Sequence, residues 1–88
     1  MKHHEGVIYH DEDRDKGPFV IRQSGTSNFV TSINTSYYSR FGSPAERVVL
    51  QEGWGNPAAL SYPTMDKAIA AAEEAYRIEG YYFSIEIK

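Results

Sequence analysis

The stretch from Thr64 to Lys88 constrains the fold most, because a helix and a strand follow one another there with clear boundaries. The Thr64 hydroxyl can accept a hydrogen bond from a backbone N–H that the first helical turn leaves unpaired, and Pro63 disfavours an earlier start. Gly80 supplies the left-handed residue with which helices commonly end. Between these boundaries apolar residues recur at spacings of three and four, which places them on one helix face: Met65, Ala68, Ile69, Ala72, Ala75 and Tyr76.

After Gly80 the sequence predicts a closing strand. Apolar and more polar residues alternate from Tyr81 to Ile87, which is the period of two of a strand with one buried face. On the exposed side of the helix, Glu73 and Arg77 stand four residues apart in the order that favours an ion pair.

Three earlier stretches are rich in β-branched and aromatic residues and also predict strands. Gly6 to His10 is expected to form the first and Phe19 to Gln23 the second. The charged residues 11–16, followed by glycine and proline, are expected to form a hairpin loop that joins these two strands and protects the sheet edge. A third strand is predicted from Phe29 to Asn34, with its continuation through Tyr37 and Tyr38 left open.

The stretch from Ser43 to Gly53 fits two structures. Ser43, Pro44 and Glu46 have the spacing of a helix-capping box, which would begin a short helix. Against this, Val48 and Val49 are adjacent β-branched residues, which suit a strand better than a helix. We favour a strand over residues 45–55, with Phe41 to Glu46 as its turn.

These elements predict an α+β fold: an antiparallel sheet of four or five strands, one long helix in the C-terminal half packed on one face, and a chain that ends in a strand. The length of 88 residues fits a single domain. Residues 1–5 are expected to form a loose terminus. One sheet face is left without a helix, and in so small a domain that face is a natural place for binding.

Composition argues against several classes of protein. The chain has no cysteine, so it has neither a disulfide framework nor a cysteine zinc site, and a reducing cytoplasm suits it. Its apolar runs are too short to span a membrane. The net charge of −3 does not favour general nucleic-acid binding. The charges are unevenly distributed, however, since no Asp or Glu occurs from Gly17 to Ala45.

We find no constellation that predicts catalysis, a cofactor or a metal. The N-terminal region holds potential metal ligands, but a loose terminus would not keep them in place; they are His3, His4, Glu5, His10 and Asp11. The acids that begin at Asp11 resemble the start of a calcium-binding loop, yet Lys16 takes the sixth position, which requires glycine. Nucleophile-elbow and phosphate-loop motifs are absent. We therefore expect a protein that is not an enzyme.

Tyrosine is enriched, with 7 residues, and some of these are hard to place in a core. Tyr9, Tyr76 and Tyr81 can be explained by core packing. Large amphipathic side chains among small polar ones are typical of antibody binding loops, and Tyr, Trp and Arg are the most frequent energetic anchors of interfaces. We therefore predict a partner-binding site formed by Tyr37, Tyr38, Arg40, Phe41 and Trp54.

The leading hypothesis is a small, non-catalytic protein-interaction module in the cytoplasm. Such a chain suits a stoichiometric inhibitor or adaptor that acts on a protein or a nucleoprotein complex, of the type that phages and mobile elements encode. The alternative is a single-stranded nucleic-acid-binding domain, in which tyrosines stack on bases while Arg22, Arg40 and Arg47 contact phosphates. A homodimer is a third hypothesis, formed if the closing strand lies at a sheet edge and pairs with its copy.

Overall fold

The computed structural model describes residues 4–38 and 44–88, without the side chains of residues 35–38 and 44–45. The fold is α+β, with one helix in the C-terminal half and a strand at the end of the chain, as predicted. Its elements are β1 (Val7–Ile8), a 3-10 turn (Asp11–Asp13), β2 (Phe19–Gln23), β3 (Asn28–Tyr38), β4 (Pro44–Glu52), α1 (Met65–Glu79) and β5 (Phe83–Ile87).

The five strands form one sheet in the order β1-β5-β2-β3-β4. β1 runs parallel to β5, and the remaining neighbours are antiparallel. The predicted hairpin between the first two strands is therefore wrong, because β5 lies between β1 and β2. Phe83 and Ile85 of β5 are buried, and a central position gives such a strand backbone partners on both sides. The edges of the sheet are β1 and β4, whereas β5 lies inside the sheet. The hypothesis of a dimer in which the closing strand pairs with its copy therefore loses its basis.

β3 and β4 form a long antiparallel hairpin, so the strand interpretation of residues 44–52 is confirmed and the short helix is wrong. Val30 lies opposite Leu50, and Ile33 opposite Val48, and all four pack in the main core cluster. Val30 and Ile33 are three positions apart, and a register shift between Val30 and Ser32 brings both to the same face of the sheet. The predicted turn began at Phe41, which lies outside the described residues. Its last part is strand, since β4 begins at Pro44.

The helix begins and ends as predicted. Thr64 Oγ1 accepts a hydrogen bond from the Lys67 N–H at 3.3 Å, and Gly80 adopts a left-handed φ of 82°. The predicted ion pair between Glu73 and Arg77 is wrong. The Arg77 guanidinium instead donates to Glu74 and to Glu46 of β4, which ties the last turn of α1 to the sheet. Within the described ranges, no helix is both long and apolar enough to cross a membrane.

The core lies between α1 and one face of the sheet. The helix contributes mostly alanines, and the strands contribute larger residues, so the helix axis can approach the sheet closely. The buried members of this cluster are Val7, Phe19, Ile21, Val30, Met65, Ala68, Ile69, Ala72, Ala75, Phe83 and Ile85. The opposite surface, which we call the helix-free face, carries a small buried cluster of Val20, Phe29 and Ala59.

Candidate functional site

Of the predicted partner-binding residues, Trp54 alone has a side chain that the structure describes. Tyr37 and Tyr38 lie in β3, but the structure does not describe their side chains. Arg40 and Phe41 lie outside the described residues altogether. Trp54 follows β4 and is 67% exposed, the most exposed of the large apolar side chains reported for the described part of the chain. The candidate site is therefore built around Trp54.

The local sequence positions Trp54 in a tight loop. Both flanking glycines have positive φ, 129° at Gly53 and 72° at Gly55, which side-chain-bearing residues rarely adopt. The Gly53 N–H donates to the Ser27 carbonyl at 3.0 Å, which fixes the start of the loop. Asn56 holds its other end, since Oδ1 accepts from the Ala58 N–H at 2.9 Å. The loop is thus held by backbone geometry rather than by burial of the tryptophan.

One side of the Trp54 ring rests on the helix-free face. Its centroid lies 5.2 Å from that of Phe29 at an interplanar angle of 74°, an edge-to-face contact between aromatic rings. The guanidinium carbon of Arg22 lies 5.1 Å from the Trp54 centroid, within cation–π range. Phe29 is itself 3% exposed, so it forms a rigid base for the indole.

Arg22 is held in turn by a hydrogen-bonded network. Its Nε and Nη2 donate to Glu86 Oε1 at 3.0 and 2.6 Å, and its Nη1 donates to the Thr26 carbonyl at 2.8 Å. Ser84 Oγ lies 3.1 Å from the same Glu86 oxygen and donates to it. The side chains of Arg22 and Glu86 are 18% and 30% exposed. This charge-assisted network fixes the cation beneath Trp54 and uses three of its five N–H donors.

A small apolar cleft opens beside the indole. Its volume is about 80 Å³, and its walls include Val20, Phe29, Trp54, Ala59, Glu86, Ile87 and Lys88. We call it the Trp54 cleft. An exposed aromatic ring beside an apolar recess, with a few polar groups at the rim, has room for a side chain of another molecule.

Comparisons with protein-family models, with curated protein sequences and with solved structures found no match to this chain. The function is therefore inferred from the residues of the site.

The N-terminal metal candidates do not converge. His4 Nδ1 lies 3.2 Å from Glu73 Oε2 of α1, whereas His10 lies 3.8 Å from Glu12. Asp11 instead accepts from Arg14 at 2.8 Å. Among the residues that the structure describes, no group of three or more potential ligands could hold a metal ion; His3 is outside them.

A second, polar cleft of about 320 Å³ lies beside the helix start, between the N-terminal segment and α1. Arg14 bridges two of its acids, with hydrogen bonds to Asp11 at 2.8 Å and to Asp66 at 2.6 Å. These hydrogen bonds raise the pKa of the Arg14 guanidinium, and the bond with Asp11 has a larger effect than the bond with Asp66. The ion pairs hold the 3-10 turn against the helix.

The predicted core tyrosines are confirmed, since Tyr9, Tyr76 and Tyr81 pack against the main cluster. The negative charge of Glu5, whose Oε1 accepts from the Tyr76 hydroxyl at 3.3 Å, raises the pKa of that hydroxyl.

Sequence reasoning placed Arg22 on phosphates and missed both Phe29 and Glu86 as parts of the site. Arg22 and Glu86 are 64 positions apart, so no local spacing indicates their pairing. The one available signal was an arginine in an apolar strand, a charge that needs a partner. Because three of the five Arg22 N–H donors bind Glu86 and Thr26, Arg22 is less available for the phosphate contact that the nucleic-acid hypothesis assigns to it.

Proposed function

We propose that this protein is a non-catalytic interaction module that binds a partner protein through the helix-free face, with Trp54 as its anchor. The observation that carries the proposal is the 67% exposure of an indole whose base is rigid. Loss of its ring would remove an aromatic surface of the kind that dominates the free energy of many interfaces.

The supports of Trp54 favour binding further. Phe29, Arg22 and the two glycines hold the ring in place before any partner arrives. An anchor that is already ordered loses little side-chain entropy on association, so more of its contact free energy appears as affinity. A surface tryptophan without such a base would have to be ordered by its partner.

The mode of action that fits best is stoichiometric. The protein would act as an inhibitor or adaptor by occupying a surface of a protein or nucleoprotein complex, in the manner of small proteins of phages and mobile elements. We place this interaction in the cytoplasm, because a chain without cysteine gains nothing from an oxidising compartment.

The test compares two exposed aromatic residues. The wild-type protein captures its partner from the organism that encodes it, and binding of the purified partner is then measured by calorimetry. Trp54→Ala should weaken binding by about 2 kcal/mol or more, roughly thirtyfold. Tyr82→Ala is the control, since Tyr82 is 51% exposed but contacts Tyr76 of α1 instead of the site. Equal affinity of the wild type and Trp54→Ala would refute the proposal.

A further inference from the structure

We propose that the partner presents an acidic polypeptide segment to the helix-free face, and that a branched aliphatic side chain of this segment enters the Trp54 cleft. The inference rests on the proposed function and names the class of partner. Two observations carry it: the separation of charge between the two sides of the sheet, and the size and lining of the cleft.

The helix-free face is more basic than the rest of the molecule. Arg22, Arg47 and Glu86 lie at strand positions that alternate with core-facing residues, and Lys88 lines the cleft. This gives three cationic side chains and one carboxylate, although the whole chain carries a net charge of −3.

The helix side has the opposite balance. α1 carries two cations and four carboxylates, and these carboxylates are Asp66, Glu73, Glu74 and Glu79. A partner with negative charge is therefore attracted to the helix-free face and repelled by the helix side. Such complementarity sets orientation and association rate more than it sets affinity.

The cleft selects a side chain by its size. An engineered cavity of about 150 Å³ accommodates benzene, whereas the Trp54 cleft measures about 80 Å³. A branched aliphatic side chain fits this volume better than an aromatic ring or a nucleobase does. The apolar walls formed by Val20, Phe29 and Ala59 would contact its methyl groups.

Glu86 distinguishes a polypeptide from a nucleic acid. Its hydrogen bonds from Arg22 and Ser84 all end on Oε1, so neither of these residues occupies Oε2. Because Glu86 lines the cleft, its carboxylate can accept a hydrogen bond from a peptide N–H and disfavours a negative charge inside the cleft, whether a phosphate or a carboxylate. The site therefore suits a polypeptide whose acids lie on either side of its aliphatic anchor.

The test is a selection from a library of random short peptides on the immobilised full chain, followed by anisotropy measurements with the selected sequences. We expect peptides in which Asp and Glu flank a Leu, Ile or Val. Trp54→Ala should abolish their binding. The charge-reversed double variant Arg47→Glu/Lys88→Glu should weaken it by about tenfold, the effect of losing two exposed ion pairs. Circular dichroism checks that both variants are folded.

Other outcomes overturn the inference. Trp54-dependent peptides without an acidic excess would refute the proposed partner class but leave the interaction module standing. Oligothymidylate binding that falls steeply with salt and is lost in Trp54→Ala would assign the face to nucleic acid instead. If no selected peptide depends on Trp54, the inference fails, and the calorimetric comparison with the captured partner then decides the proposed function separately.

Discussion

Disruption of the Arg22–Glu86 pair tests how the base of the site is held. The pair is neither fully exposed nor fully buried, at 18% and 30% exposure. Exposed ion pairs contribute about 0 to 1 kcal/mol, whereas removing one partner of a buried pair costs about 3 to 5 kcal/mol. We therefore expect about 2 kcal/mol of destabilisation from Arg22→Met or from Glu86→Leu, because each leaves a partly buried charge without its partner.

This cost is large for a small domain. Native proteins are stable by roughly 0.05 to 0.15 kcal/mol per residue, which for this chain amounts to about 4 to 13 kcal/mol. The double variant Arg22→Met/Glu86→Leu should lose less than the sum of the single variants, because it leaves neither charge unpaired. We expect a coupling free energy of about 2 kcal/mol between the two positions.

Urea unfolding followed by circular dichroism measures the three free energies, with a constant m-value as the check that compactness is unchanged. Trp54 is the single tryptophan, and its ring lies 5.1 Å from the Arg22 guanidinium carbon, so its emission reports the site independently. Lys16 and Asp13 provide a matched pair at 3.3 Å, with Lys16 60% exposed, and should couple by less than about 1 kcal/mol. Strictly additive costs at Arg22 and Glu86 would show that the two charges are not coupled and would refute the reasoning.

Three further predictions concern the packing and charge of the fold. Gly6→Ala should lower the free energy of unfolding in urea by about 3 kcal/mol or more, because the new Cβ would lie 2.1 Å from the Tyr76 ring. Gly25→Ala is the control: Gly25 has a similar φ but open space around it, so the loss should be only about 1 kcal/mol. Ala72→Leu should lower the free energy of unfolding by about 1 to 3 kcal/mol, seen as a lower urea midpoint, since Ala72 is fully buried against the sheet. The hydrogen bond from Arg77 lowers the pKa of Glu74, so the stability contributed by this ion pair is complete above the ordinary carboxyl pKa and is lost as pH falls through the lowered value. The difference in melting temperature between the wild type and Glu74→Gln should therefore shrink as the pH is lowered from about 5 to about 2, as measured by thermal unfolding.

Local rules predicted the elements of this fold because their signals lie within a few residues. The cap at Thr64, the stop at Gly80 and the apolar spacing between them each depend on neighbouring positions. The adjacent β-branched residues Val48 and Val49 likewise outweighed the capping-box pattern, since the strand buries alternate side chains.

Strand order was not predictable in the same way. Neighbouring strands joined by a turn usually pair, and β1 and β2 depart from that rule because β5 lies between them. Nothing close to residues 11–18 in the chain signals that insertion. The position of β5 between β1 and β2 depends on the apolar character of β5 and on the length of β1, which is only two residues.

The site was predictable only in part, for the same reason. A tryptophan between two glycines is a local signal, and it located Trp54 correctly in an exposed loop. Its supports, Phe29, Arg22 and Glu86, come from three different strands. Their meeting is a consequence of the sheet order that local patterns do not contain.

The exposure of Trp54 allows binding to be separated from stability. Full burial of a large apolar side chain stabilises a protein by about 1.5 to 3 kcal/mol, and about a third of that is expected for a ring that is mostly exposed. Removal of the indole should thus cost about 1 kcal/mol of fold stability, of which the contact with Phe29 supplies a part. Because a loss of this size leaves the domain folded, a large loss of partner affinity in Trp54→Ala reports the missing indole contacts, together with any rearrangement of the loop, and not unfolding of the protein. The alanine substitution is therefore a test of function and not of folding.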